Sequence, residues 1–199
     1  MSSRDEARER TRHGVIASAG ECFRAHGFDA TTVRDIAARA GVSVGSVMGV
    51  GDKQALLVAV FDQDIAAVHE ARTHAQAPGP LPSTAAESLV ALVLPFARLF
   101  VENDSLARGY AAILVSGLHR SKVFGELAVL LVNEFQDVLM RFGCDPERSV
   151  SLARAIHFAY LGVLFAASGQ ERHPATIESL SDELRAVFAA IAPHQEVSA

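Results

Sequence analysis

Tryptophan is missing from this 199-residue chain, and cysteine, tyrosine and methionine are scarce, at two, two and three residues. Cys22 and Cys144 are too few for a disulfide framework, and neither has the C-x-x-C partner that metal or redox work needs. No uninterrupted apolar run reaches the roughly 20 residues of a membrane-spanning helix, because Pro95, Arg98 and Glu134 break the longest stretches. The opening MSSRDEARERTRHG is charged and lacks an apolar h-region, so no secretory signal is read there and the cytoplasm is the expected compartment. A Gly-rich phosphate loop, a G-x-S-x-G elbow and a cysteine cluster are all absent. His69 and His74 resemble a zinc helix at a glance, but they stand five apart where metal-binding helices use i, i+4. No catalytic residue, metal site or cofactor is therefore assigned, and an enzyme is not expected.

A clear excess of basic charge is also lacking, since the net charge is −5. The balance is uneven along the chain. Residues 1–55 hold eight Lys/Arg against seven Asp/Glu, a net of +1, and residues 56–199 hold ten against sixteen, a net of −6. A polyanion responds to local cations rather than to whole-chain charge. The +1 footprint implies modest non-specific affinity.

What the chain does have is apolar residues, 50% of the total, and a length that suits one small and one larger domain or a single helical domain. Their spacing is helical throughout, with no β-type alternation and about nine helices. Val15, Ala19, Cys22, Phe23 and His26 share one face of a first helix, closed by Gly27, while Arg4, Arg8 and Arg12 line its opposite side. Asp52 caps a long helix from Lys53 to about Ala75, and the Pro/Gly-rich stretch from Ala77 to Pro82 reads as a linker. Pro95, inside the next helical pattern, predicts a kink or break. Asp145-Pro146 starts another helix as N-cap and N1, and a last one runs from about Ala175 to Ala192.

The most informative stretch is Thr31–Leu57, TTVRDIAARAGVSVGSVMGVGDKQALL. Thr32 N-caps a short helix, with Asp35 completing a capping-box pattern, and Val33, Ile36 and Ala37 form its apolar face. Gly41 permits the positive φ of a sharp helix-to-helix turn. Ser43 caps a second helix that offers Val44, Gly45 and Ser46 outward while Val47 points in. A helix–turn–helix of this kind sets the first residues of its second helix against base edges in the DNA major groove.

Thr31-Thr32-Val33-Arg34-Asp35-Ile36-Ala37, Ala40-Gly41-Val42-Ser43, Gly45-Ser46-Val47 and Lys53 with Leu56-Leu57 resemble the TetR family of bacterial transcription regulators over roughly the first quarter of the chain. The resemblance implies an all-α fold. A three-helix DNA-binding domain, residues 1–52, would precede a helical ligand-binding and dimerisation domain, residues 53–199. It also implies a homodimer on a palindromic double-stranded operator, released by a small hydrophobic effector, with no membrane partner. The family's phosphate contacts carry over to Thr32, Ser46 and Lys53. Arg34, Ser43, Val44, Gly45, Val47 and Met48 complete the expected DNA-facing set, with Val44 and Val47 able to offer only apolar contact, for example to a thymine methyl. The family places its effector among the central helices of the second domain, where this chain offers Phe96, Phe100, Tyr110, His119, Phe124, Phe135, His157 and Tyr160. The last two helices carry small residues, Ala153, Gly162, Ala166 and Ala189, that allow close helix approach, either within one subunit or, as the resemblance implies, with a second copy.

One segment departs from the family. Its pattern places Tyr, a variable residue, His or Tyr, and Phe after Val47, whereas this chain has Met48-Gly49-Val50-Gly51 and one residue fewer before Lys53. Two glycines weaken a helix by about 0.5–1 kcal/mol each, which predicts a recognition helix ending at Met48 and fewer phosphate contacts. The alternative is therefore a TetR-like ligand-binding or interaction module with weak or lost operator binding.

Overall fold

A computed structural model describes residues 3–74, 82–168 and 176–192. Among them are nine helices and no strands: α1 Ser3–His26, α2 Val33–Ala40, α3 Val44–Val50, α4 Lys53–His74, α5 Ala85–Glu102, α6 Asp104–Ser116, α7 Lys122–Arg141, α8 Pro146–Ser168 and α9 Ile177–Ile191. The expected linker lies, Pro82 apart, outside the described residues, as do Gly169 and Ala175. The helices form two compact units, Met1–Asp64 with Asn103–Ser121, and Ile65–Glu102 with Lys122–Ala199. α4 thus contributes to both.

In the first unit, Val15, Ile16, Ala19 and Phe23 of α1 are buried with Ile36 of α2, Val47 of α3 and Leu56, Leu57 and Phe61 of α4. Full burial of an aliphatic or aromatic side chain contributes about 1.5–3 kcal/mol. His26, expected on the inner face of α1, is exposed, because the helix ends there and Gly27 turns the chain away at φ 82°. Residues 103–121 complete this unit. A Cβ on Gly109 would meet Leu57 Cδ2 at 3.1 Å, so the glycine permits close approach of α6 to α4. Next to it Tyr110 stacks on Phe61 with ring centroids 4.8 Å apart. The Tyr110 hydroxyl donates to Asp62 Oδ1 at 3.2 Å, and Ser121 Oγ donates to the same oxygen at 2.5 Å.

The second unit is a helical bundle in which α5 packs on α9 and α7, α7 on α8, and α8 on α9. Leu89, Val93 and Phe96 of α5, Leu131, Phe135 and Leu139 of α7, Ile156 and Leu164 of α8, and Leu184 and Phe188 of α9 fill its core. Pro95 does not break α5, which is continuous from Ala85 to Glu102. Its missing N–H falls within a helix whose flanking residues, Val93, Phe96 and Ala97, are buried, so tertiary packing offsets the lost bond. Helix starts of this unit are capped locally, at Asp145 as expected and also at Thr84 and Thr176. Thr84 accepts from Glu87 N, Asp145 from Arg148 N, and Thr176 forms a capping box with Ser179.

Contrary to the expectation from uninterrupted runs, one helix, Pro146–Ala167, is long and apolar enough to cross a membrane by length and composition, with mean hydropathy 1.6. Its apolarity has another physical source. One side, including Ala153, Ile156, Tyr160 and Leu164, is buried in the bundle, and the other carries the exposed Val150 and Phe158.

Candidate functional site

Three helices and two turns set the geometry around α3. Thr32 caps α2 in full: its hydroxyl accepts from Asp35 N at 3.2 Å and donates to Asp35 Oδ2 at 2.7 Å, and Thr32 N donates to the same carboxylate at 2.8 Å. These bonds, led by the Thr32 hydroxyl, hold the Asp35 carboxyl below its ordinary range. α2 stops at Gly41, whose φ of 66° is left-handed, and the N–H groups of Gly41 and Val42 return to Ala38 and Ala37. Ser43 then caps α3 by accepting from Ser46 N at 3.0 Å, and the two serine hydroxyls lie 2.9 Å apart. Beyond α3, Asp52 accepts from Ala55 N at 2.8 Å and starts α4, which meets α3 at 61°.

α3 is seven residues long and reaches Val50, two residues past the expected end at Met48. Gly51 N donates to Val47 O at 3.1 Å, so the intrinsic weakness of Gly49 does not prevent the last turn from closing. Exposed on this helix are Val44 (44%), Gly45, Ser46 and Met48 (51%). Ser43, Thr32 and Arg34 are exposed beside it. Val47, expected to offer contact to a base, is fully buried. Its place one residue before Met48 turns it inward, where it anchors α3 against the other helices of the unit.

Lys53 differs most from the reading made on sequence. Its ammonium donates to the carbonyls of Phe28, Asp29 and Thr31, at 2.9, 3.3 and 3.1 Å, and lies 4.4 Å from the centroid of the Phe28 ring. An ammonium has three hydrogens, and three carbonyls take them. In this structure Lys53 clamps the 28–31 loop rather than standing free for phosphate. Thr31 continues the clamp inward, buried and donating to Gly27 O at 2.7 Å and Cys22 O at 3.2 Å. Sequence reasoning missed both roles, because the contacts of Lys53 close over 22 to 25 residues and the burial of Thr31 has no mark in the sequence.

The residues proposed for an effector divide. Phe96, Phe100, Phe124, His157 and Tyr160 line one cavity of the second unit with Leu161 and neighbouring aliphatic residues. Phe135 is fully buried and packs on Phe188 instead. Tyr110 and His119 lie in the first unit, where Tyr110 serves Asp62 and His119 Nε2 is 3.4 Å from Asp52 Oδ1. The cavity encloses about 20 Å³, space for about one water-sized guest. Burial lowers the His157 pKa and raises that of Tyr160, so both are neutral near pH 7. His157 Nδ1 is buried without a hydrogen-bond partner among the described residues. Above Phe96 sits Arg72, 5.7 Å from the ring centroid and paired with Glu134 at 2.8 Å. Among the described residues, no group of three or more His, Cys, Asp or Glu could hold a metal ion. His69 and His74 are turned to Arg72 and to Glu70 O.

Residues 15–60 match the family model for bacterial regulatory proteins of the tetR family. This N-terminal region is of the tetR family. The match covers α2, the Gly41 turn, α3 and the Lys53 clamp, the parts whose geometry sets α3 outward. No curated protein matches the chain in sequence. Solved structures share its fold from end to end. A TetR transcriptional regulator from Rhodococcus sp. RHA1 has TM-score 0.66 at 15% identity, over 96% of this chain and 99% of that one. Thermus thermophilus FadR, a TetR-family transcriptional repressor solved with lauroyl-CoA, has TM-score 0.60 at 20% identity, over 94% and 98%. SmeT, the repressor of the Stenotrophomonas maltophilia multidrug efflux pump SmeDEF, has TM-score 0.57 at 22% identity, over 92% and 91%. The described residues thus share the all-α fold of these solved tetR-family regulators.

Proposed function

We propose that this chain is a sequence-selective DNA-binding transcriptional regulator, a homodimeric cytoplasmic repressor that a small hydrophobic molecule releases from its operator. The observation that carries the reading is the outward face of α3, held out by the capped α2 and the left-handed Gly41 within a tetR-family region. Residues 1–52 would read DNA and residues 53–199 would regulate. Arg34, Ser43 and Ser46, all exposed, are suited to meet phosphates, whereas the one hydrogen of the Thr32 hydroxyl is already given to Asp35. Any two paired hydroxyls keep one hydrogen spare, so the Ser43–Ser46 pair can still donate outward.

A dimer would present two copies of α3 to successive major grooves, about 34–36 Å apart. The exposed side of α8, with Phe158 and Val150, and the exposed small residues Gly162, Ala166 and Ala189 suit self-association, whereas Ala153, expected with them, is fully buried within the bundle. The effector would enter the cavity beside Phe96, Phe124 and His157. A drug-sized molecule needs roughly 300 Å³ or more, so its binding must part the helices around that cavity. That coupling would favour a separation of the two heads that no longer fits the operator. Titration of the full-length chain, without effector and at low salt, against DNA flanking its own gene tests the proposal. Absence of any sequence-selective complex would sink it.

A second reading keeps the fold and gives up operator recognition. The engagement of Lys53 with three carbonyls and the lack of an aromatic residue after Val47 favour it. If it holds, Met48→Tyr creates DNA affinity where the natural chain has none.

A further inference from the structure

We infer that the sequence preference of this protein is set by van der Waals contact of Val44 and Met48 with thymine C5-methyl groups in the major groove, and not by hydrogen bonds to bases. The inference rests on the DNA-binding reading above. α3 has the sequence VGSVMGV. It contains no Arg or Lys for guanine, no Asn or Gln for adenine and no Asp or Glu for cytosine, the side chains that give a groove-bound helix its hydrogen-bond discrimination. Its one hydrogen-bonding side chain is Ser46, already within 2.9 Å of Ser43 Oγ. A hydroxyl can satisfy either a donor or an acceptor and so separates bases poorly.

The apolar side chains are placed for the alternative. Val44 and Met48 are four residues apart on one face of α3 and are 44% and 51% exposed, whereas Val47 is buried. Beside them the backbone is bare. Among the described residues, a Cβ at Gly49 would meet nothing within 4 Å, and one at Gly45 only Ser43 Oγ at 3.7 Å. Two side-chain-free positions, also four apart, let the ridge of Val44 and Met48 descend close to the base edges. The apolar group that the groove offers there is the thymine methyl. Met48, unbranched and polarisable, can follow a methyl whose position shifts with local DNA geometry.

The test uses the full-length chain and 20-base-pair duplexes selected by it from a randomised pool. Each selected duplex is compared with its copy carrying deoxyuridine for every thymidine, which removes the methyls and keeps Watson–Crick pairing. The expected result is weaker binding of the uracil duplex, by about fourfold for each covered methyl. The Val44→Ala/Met48→Ala protein is expected to bind both duplexes alike. Equal binding of thymine and uracil duplexes by the natural protein, with selectivity kept, overturns the inference and leaves the regulator reading standing. Undiminished uracil sensitivity in the double variant also overturns it, by assigning the effect to DNA shape. If selection enriches no sequence, the regulator reading falls and this inference with it.

Discussion

At the scale of single residues, Lys53 and Asp62 decide how the first unit is held. Lys53→Met keeps most of the side chain's apolar length and removes the three bonds to the 28–31 loop. Hydrogen bonds to a charged group contribute about 1.5–3 kcal/mol, and urea denaturation should show a loss of that order. The same variant separates a clamp from a phosphate ligand. If Lys53 acts as a clamp, the salt dependence of DNA binding keeps its slope while affinity falls. If it meets a phosphate, the slope drops by about one. Asp62 is raised above the ordinary carboxyl value chiefly by burial, against the lowering effect of its bonds from Ser121 and Tyr110. A carboxyl with a raised folded pKa favours the folded state most at low pH, and that contribution is lost as pH rises through the raised value. Asp62→Asn should therefore be at least as stable as the natural protein at pH 7. The difference should shrink toward pH 4, read as the gap between the two denaturation midpoints.

At the scale of elements, the parts legible in the sequence were those whose cause is local. Thr32 with Asp35, Gly41, Asp52 with Ala55 and Asp145 with Arg148 each act over three or four residues or through one backbone angle, so residue type and spacing reveal them. Contacts closed over long separations left no periodic trace. Lys53 reaches carbonyls 22 to 25 residues away, Asp62 takes bonds from residues 48 and 59 positions on, and Arg72 finds Glu134 across 62. The same division explains the cavity residues. Tyr110 and His119 have suitable chemistry for an effector site, but α6 and the turn after it belong to the first unit. The length of α3 was misjudged because a glycine's local cost was set against no knowledge of the closing bond to Val47. Since a Cβ at Gly49 meets open space, Gly49→Ala should stabilise the protein by about 0.5–1 kcal/mol. Gly41→Ala should cost about 1–2 kcal/mol, because an L side chain is disfavoured at its φ of 66°. Thermal denaturation of the two variants reads both signs.

At the scale of the whole molecule, the proposed dimer is open to a direct check. Phe158 is 65% exposed on α8 with Val150 on the same side, and a side chain of that size left in water is costly. Phe158→Glu places a charge there. In sedimentation equilibrium it should lower the self-association of the chain at least tenfold while leaving far-ultraviolet circular dichroism unchanged. An unaltered dimer would move the interface elsewhere.

The first unit is also discontinuous, since Met1–Asp64 is completed by Asn103–Ser121. Leu57 and Phe61 are covered by Gly109 and Tyr110, which the ribosome adds about fifty residues later. The first unit is consequently no detachable module. A fragment cut after residue 64 would be born with an oily flank and a half-buried carboxylate stripped of its hydroxyl donors. Any transplant of this unit onto another protein must bring α6 with it.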